Sequence, residues 1–333
     1  MVDKNLCVSD RYLNHRVVFI VPYFGKTPSY FSLWLQSAEK NPDFDFLIYS
    51  DLPLSIESRS NVKQVQMSFS QIKERIERIL KQKICLKTPY KLCDYKPMYG
   101  LIFEEDIKKY DFWGFIDIDL ILGRLIDYIP DEMFDLYDKL YYEGHFSLFR
   151  NCKLMNTLFM REYSNIIDWR YAFSTNYACH FDENGTVAWA HEIDPNCGIR
   201  FYNAWDFLDV PVDSYEILDG RTAGYAIWSD GVLKFFSFDG MQTRELMYIH
   251  LQKRKMNDFT TDSSKGFAVS RNSFYDLTVL NSNNYAEPEK DREKIKEFRA
   301  EKNRARRKQI VTNLMNGAIR FRICHRFNKW KSK

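Results

Sequence analysis

Two carboxylates one residue apart, Asp117 and Asp119, interrupt the apolar run YDFWGFIDIDLILGRL between Tyr110 and Leu125. Burying such anions unpaired costs several kcal/mol per charge or forces them to protonate. On a strand, positions i and i+2 share a face, so both carboxylates would converge on one point. A hard divalent metal at the strand's end is then the natural compensation. Asp-x-Asp alone is a weak signal, since about one is expected by chance in a chain of this length. A second one, Asp43 and Asp45, precedes an apolar run instead of closing one. The elements around the pair have to decide between the two readings.

VVFIV (Val17 to Val21) is a continuous apolar run of the kind buried on both faces of a parallel sheet, and Pro22 ends it. Thr27 and Pro28 read as the N-cap and first position of a helix running to Lys40, stopped by Asn41-Pro42. FLIYSD (Phe46 to Asp51) is a second strand and NVKQVQM (Asn61 to Met67) a third. Ser68 to Gln71 forms a capping box ahead of Ile72, Ile76, Ile79 and Leu80 at helical spacing. Pro97 opens a further helix to Tyr110, after which the acidic pair closes the next strand. This rhythm of strand and helix predicts a three-layer α/β domain with a mostly parallel sheet, whose ligands bind at the carboxyl ends of its strands. HFSLFR (His145 to Arg150) is another strand, Asp230-Gly231 marks a hairpin, and ELMYIHLQKR (Glu245 to Arg254) reads as a strand ending in polar groups. Residues 151–219 mix helical and loop signals and give no clear element.

Composition bounds what such a chain can be. At 333 residues it has ample length for one large domain or two modest ones, and aromatics at 16% exclude a disordered chain. The net charge of +3 hides an asymmetry, because residues 289–333 hold 16 Lys and Arg against 5 Asp and Glu, leaving a mildly acidic body. Seven cysteines with no C-x-x-C suggest neither a disulfide framework nor a zinc site, and fit reduced thiols in a cytosolic protein. MVDKNLCVSD lacks the apolar stretch of a signal peptide, and no run approaches the ~18 apolar residues of a spanning helix.

The ordered blocks PYF, YSD, PYKLCDYKPMYG, DFWGFIDIDLILG and YIHLQKR, spread over residues 17–255, resemble bacterial glycosyltransferases of the GT-A fold. The resemblance is to a poorly characterised polysaccharide-biosynthesis family, and more distantly to the DXD sugar-binding region family. It implies a GT-A, Rossmann-like domain over residues 1–288, followed by a basic helical tail over 289–333. It also implies a hexosyltransferase that uses a nucleotide-diphosphate sugar, a UDP-sugar first of all, and a saccharide or lipid-linked acceptor.

Carried onto this sequence, the resemblance gives a Mn2+ or Mg2+ ion held by Asp119 and Asp117, with His250 as third ligand. Asp117 would also stand near the ribose. Lys91 and Asp94 would hold a donor sugar hydroxyl, Tyr23 and Phe24 the base, and Asp51 the uridine, while Lys253 and Arg254 would meet the diphosphate. Plain readings stand beside these: a helix ion pair for Lys91 and Asp94, core aromatics for Tyr23 and Phe24, and a turn residue for Asp51. An inverting enzyme also needs a carboxylate base; FDENG and AHEID are the acid clusters, and Asp182 and Glu183 of the former are favoured.

In the tail, AIRFRICHRFNKWK alternates basic with apolar and aromatic residues. It reads as a solvated helix or as a peripheral attachment to an anionic membrane surface on the cytoplasmic side, with Phe321, Phe327 and Trp330 inserting. No nucleic-acid reading module is present. Two other classes compete with a transferase. A sugar-phosphate nucleotidyltransferase would want a glycine-rich triphosphate loop after the first strand, where PYFGKTPSY offers one glycine. A non-catalytic sugar- or membrane-binding protein would bind donor without cleaving it.

Overall fold

VVFIVP forms β1 (Val17–Pro22), buried along almost its whole length. The computed structural model describes residues 12–278, apart from 55, 57–60, 164–165, 212–213 and 253, together with 292–315. Alternation explains why β1 is apolar throughout: Val18 and Ile20 enter the core on one side of the sheet, and Val17, Phe19 and Val21 enter the core on the other. β2 (Phe44–Ser50) lies parallel on one side of it with β3 (Val62–Gln66) beyond, and β4 (Phe112–Ile116) lies parallel on the other. The chain then leaves this sheet for β5 (Leu120–Leu122). β6 (Lys139–Glu143), β7 (Phe146–Arg150) and β8 (Phe201–Tyr202) complete a seven-stranded sheet of order β3-β2-β1-β4-β7-β6-β8, in which β7 alone runs against its neighbours.

Helices cover both faces. On one face, α1 (Phe31–Glu39) packs Phe31 and Trp34 against Phe44, Phe46 and Phe19. On the other, α2 (Phe69–Leu80), closed by the Ser68/Gln71 capping box, and several short helices between residues 89 and 193 pack around Trp113, Tyr99 and Phe149. This is the three-layer, mostly parallel α/β fold the sequence predicts.

Three elements differ from expectation. α1 starts at Phe31 and not at Pro28, because Pro28 to Tyr30 is a turn closed by Phe31 N–H donating to Pro28 O at 3.1 Å, and no side chain caps the helix. Where one helix is expected from Pro97 to Tyr110, Pro97 instead lies inside a 3-10 run, Pro89–Met98, and two single turns follow, Tyr99–Ile102 and Glu104–Ile107. Lys91, Asp94 and Lys96 of that run all point into the interior, and a side-chain stripe of buried charges suits no amphipathic α-helix. Asp117 and Asp119 lie in the turn between β4 and β5, so strand alternation is not what brings them near each other.

The rest of the chain builds two smaller sheets. β9 (Leu208–Asp209) is followed by β10 (Ile217–Asp219), β11 (Thr222–Ser229), β12 (Val232–Ser237) and β13 (Thr243–Glu245). The β11–β12 turn is the expected hairpin, with Asp230 and Gly231 both at positive φ (49° and 85°), as a type I′ turn requires. ELMYIHLQKR is not one strand. It breaks at Leu246–Met247, where the chain passes from β13 to β14 (Tyr248–His250) in a different sheet. β15 (Asn257–Asp258), β16 (Phe267–Ser270) and β17 (Ser273–Asp276) finish the sheet of β10 to β13, antiparallel except where β15 pairs with β17, and it packs on Tyr30 and Leu33 of the α1 region. β5, β14 and β9 form a separate three-stranded sheet. The helix Arg292–Met315 follows, touching the body through Phe298, whose ring lies 5.8 Å from that of Tyr215.

Gly114 sits where β4 passes closest to β7: a Cβ there would stand 2.4 Å from Ser147 O and 2.7 Å from Leu148 Cδ2. Gly114→Ala therefore forces two central strands apart and should destabilise the protein by about 1–3 kcal/mol. Urea unfolding checks this, read as a lower midpoint at unchanged slope.

Candidate active site

A cleft of about 480 Å³ opens at the carboxyl ends of β1 and β4, where an α/β sheet is expected to bind ligands. Its walls include Tyr23 and Phe24 from β1's end, Lys96 from the 3-10 run, Asp117 and Asp119 from the β4–β5 turn, and Arg254.

The short sheet fixes the position of Asp119 in the wall of this cleft. β14 pairs antiparallel with β5, placing His250 opposite Leu120, and parallel with β9, placing His250 beside Asp209. Leu251 N–H donates to Asp119 O at 2.8 Å, so the acid's own backbone is tied into the pairing. His250 Nδ1 stands 2.8 Å from Asp209 Oδ1 and its Nε2 3.7 Å from Asp119 Oδ2. The His145 ring stacks on it at 3.8 Å and is itself held by the Tyr248 hydroxyl at 3.0 Å. Burial alone would push the His250 imidazole down, but its hydrogen bonds to Asp119 and Asp209 and their charges outweigh that and raise it to about 9. The two carboxylates thus favour the charged form of the ring, which gives up its Nε2 proton wherever that nitrogen ligates an ion.

Asp117 turns elsewhere. The Lys96 ammonium donates to Asp117 Oδ1 and to Gly144 O, both at 2.6 Å, and lies 3.6 Å from Asp182 Oδ2. Burial works against that charge, yet Asp117 and Asp182 prevail and hold Lys96 protonated. The two acids of the motif thus have separate built-in cations, Lys96 for Asp117 and His250 for Asp119.

The other sequence candidates fall into two groups. Around the cleft, Tyr23 is half-buried, its hydroxyl donates to Lys26 O at 3.0 Å, and burial followed by the Asp119 charge raises its pKa. Phe24 is buried with its ring edge-on to Phe69 at 5.6 Å. Asp51 is exposed and accepts the Gly25 N–H at 3.2 Å, fastening the loop after β1. Asp182 is buried, and desolvation, helped by Glu183, Asp94 and Asp117, lifts its carboxyl well above the usual range against the opposing pull of Lys96. Glu183 is exposed and packs over Gly144.

The remaining candidates are engaged in the scaffold. Lys91 and Asp94 form a fully buried ion pair that does not line the cleft. Asp94 accepts the N–H groups of Cys179 and Phe181 at 2.9 Å each, and Lys91 donates to Ala172 O at 2.7 Å and Tyr177 O at 2.5 Å. Together they pin the 3-10 run to residues 172–181. Arg254 reaches the cleft wall, but its guanidinium donates to the carbonyls of Pro211, Ser214 and Tyr215 and to Asn272 Oδ1. Lys253 lies outside the described residues, as do Phe321, Phe327 and Trp330.

Sequence reading missed Lys96, Asp209 and His145. Lys96 stands in the same block as Lys91, and only the three-dimensional path of the 3-10 run tells the two apart. Asp209 and His145 carry no local signal, being distant from His250 in sequence.

Fold and cleft together define a three-layer α/β protein with an acidic, partly compensated cleft at the edge of its sheet. The chain belongs to DUF6625, a family of unknown function, which it matches over residues 19–278. Among solved structures it is similar to the galactosyltransferase LgtC, solved in complex with donor and acceptor sugar analogues. That likeness has 11% identity and a TM-score of 0.31 over 60% of this chain and 76% of that one. It is also similar to a glycosyltransferase involved in the glycosylation of the major capsid of PBCV-1, at 9% identity and a TM-score of 0.29 over 72% of this chain and 93% of that one. No curated protein matches the sequence.

If Asp209 sustains the His250 cation, Asp209→Asn should lower that imidazole from about 9 toward its ordinary value near 6.5, as followed by histidine NMR. The sign for stability follows. A folded pKa above the unfolded one stabilises fully below pH ~6.5, and the contribution is lost as pH rises through about 9. The variant should flatten that part of the pH–stability curve, and an unshifted His250 titration would remove Asp209 from this role.

Proposed function

We propose that this protein is a metal-dependent glycosyltransferase that moves a hexose from a nucleotide-diphosphate sugar, a UDP-sugar first of all, to a saccharide or lipid-linked acceptor. The observation that carries the reading is the line Asp209, His250, Asp119, whose last member lines a cleft on the carboxyl edge of a parallel sheet. A carboxylate that fixes one imidazole nitrogen while the other faces a second carboxylate is the outer-shell arrangement of many metal sites, and this oxygen and nitrogen donor set suits Mn2+ or Mg2+. Asp119 and His250 would hold the ion, which supplies charge neutralisation for the departing diphosphate.

The chain's own groups divide the remaining work. Tyr23 and Phe24 offer aromatic surface to a base, and Asp51 stands at the end of β2 beside that loop. Lys96 adds a fixed positive charge on the far side of Asp117. In transfer, the acceptor hydroxyl oxygen bonds to the anomeric carbon, the bond from that carbon to the diphosphate oxygen breaks, and the hydroxyl proton needs a base. Asp182, with its raised pKa and its place beside Lys96, is the carboxylate suited to take it. Residues 1–288 form the catalytic domain in this reading.

The tail brings the enzyme to its acceptor at the cytoplasmic membrane surface. No described helix is long and apolar enough to cross a membrane. On the helix Arg292–Met315, Ile310, Val311, Leu314 and Met315 are all exposed amid basic residues, a combination suited to anionic lipid.

Two measurements test this. Asp119→Ala should reduce Mn2+-dependent release of nucleoside diphosphate by about 10²-fold or more while leaving the protein folded, and full activity in that variant defeats the assignment. A thermal-shift screen of nucleotide sugars with and without Mn2+ should single out one donor; a triphosphate shifting the protein in their place would favour the nucleotidyltransferase. Separately, removing residues 289–333 should reduce sedimentation with phosphatidylserine vesicles and leave slow donor hydrolysis intact. Unchanged sedimentation would make that segment a solvated helix only.

A further inference from the structure

A second cluster at the cleft wall has the composition of a different kind of metal site. Cys93 belongs to the 3-10 run, while His180 and Asp182 flank Phe181 at the start of the short helix Phe181–Asn184. One ligand atom from each, the Cys93 Sγ, a His180 ring nitrogen and an Asp182 carboxylate oxygen, all lie within 4.8 Å of one another. Among the described residues no other three His, Cys, Asp or Glu side chains meet so closely. We propose that Cys93, His180 and Asp182 bind a zinc ion, separately from Asp119 and His250.

Three independent features support the site. Asp182 is only 5% exposed, and its Oδ1 has no hydrogen-bond partner, an arrangement that leaves the desolvation of that oxygen uncompensated until a cation arrives. Its other oxygen shares Lys96 with Asp117, so the ammonium keeps a partner when the ion takes Asp182. Second, His180 holds a left-handed backbone, φ 53° and ψ 52°, which a residue other than glycine adopts at a cost and which gathers at functional sites. Third, the ligand positions are fixed in advance. Asp94, next to Cys93, accepts the N–H groups of Cys179 and Phe181, on either side of His180, at 2.9 Å each. Tetrahedral zinc sets its ligand atoms roughly 3.5 Å apart, close to the separations of at most 4.8 Å that the three atoms already have.

Ligand softness separates this site from the other one. A thiolate with imidazole and carboxylate selects zinc over manganese, and three protein ligands leave the fourth position for water or a ligand in the cleft, whose wall Cys93 forms. Binding requires the Cys93 thiol, which lies 3.8 Å from Asp94 Oδ1, to give up its proton, so zinc uptake releases a proton and strengthens with pH. The site stands on these observations and not on the transferase reading, with which it shares Asp182: a zinc-bound Asp182 would not serve as the base.

The test uses the full chain freed of metal by a chelator and titrated with Co2+ as a spectroscopic stand-in for zinc. One equivalent should bind with a thiolate-to-cobalt charge-transfer band, and zinc should displace it. Cys93→Ser should abolish the band, and His180→Ala should weaken zinc binding by more than ~10-fold. Cys85→Ser should keep the band, because Cys85 is a half-buried thiol outside the cluster. Circular dichroism of each variant confirms folding. Absence of the band in the wild type, its persistence in Cys93→Ser, or its loss in Cys85→Ser overturns the proposal.

Discussion

The structure of the cleft depends on one short pairing, β5 against β14. Leu120 opposite His250 is the register that puts an imidazole beside Asp119, and β9 on the other edge of β14 brings Asp209 to the same ring. Strands of two and three residues do not hold themselves. α1 supports β5 through buried polar groups: Ser37 Oγ accepts the Leu122 N–H at 3.2 Å, and Asn41 donates to Gly123 O at 2.9 Å and accepts the Leu125 N–H at 2.7 Å. From the antiparallel sheet, Trp228 Nε1 donates to Leu122 O at 2.8 Å. The helix that packs the central sheet therefore also fixes the turn that carries the acids.

Charge in this region is deliberately unbalanced. Asp117, Asp119, Asp182, Asp209 and Glu143 face three basic groups, Lys96, His250 and Lys139, the last of which burial pulls down to about 7. The deficit is visible in the carboxyls left over: burial, Asp209 and Glu183 push Glu143 up to about 7, and Asp182 is raised further from its usual range. A dielectric lower than water makes such repulsion expensive, and the region relieves it by binding protons or by binding added cations. Either outcome favours the uptake of positive charge, which is what the proposed divalent ion and diphosphate would exploit.

What was legible in the sequence follows from how local each signal is. β1 to β3, the Ser68 capping box and the Asp230-Gly231 turn depend on neighbours in the chain, and all form where expected. The opening of α1 at Phe31 and the 3-10 run were not legible, because tertiary burial of Tyr30, Lys91, Asp94 and Lys96 overrides local helix signals there. The acidic pair was correctly placed at the end of a strand, but the expectation of one shared face failed once the chain turned out of the sheet after Ile116. Of the partners, His250 stands in the YIHLQKR block, whereas Asp209 and His145 come to the site through strand pairings across tens of residues and Lys96 through the path of the 3-10 run. The same distance hid Cys93 from His180 and Asp182, since a zinc site read from spacing alone needs its ligands close in sequence.

The central claim is that Asp119 and His250 hold a divalent cation against a nucleotide diphosphate, with Asp209 aiming the imidazole. Pulsed electron paramagnetic resonance of Mn2+ bound in the presence of UDP reads this directly, because a coordinated imidazole nitrogen modulates the manganese echo. The account predicts a nitrogen modulation in the wild type that disappears in His250→Gln. Manganese bound without that modulation, or with it unchanged in His250→Gln, would contradict it.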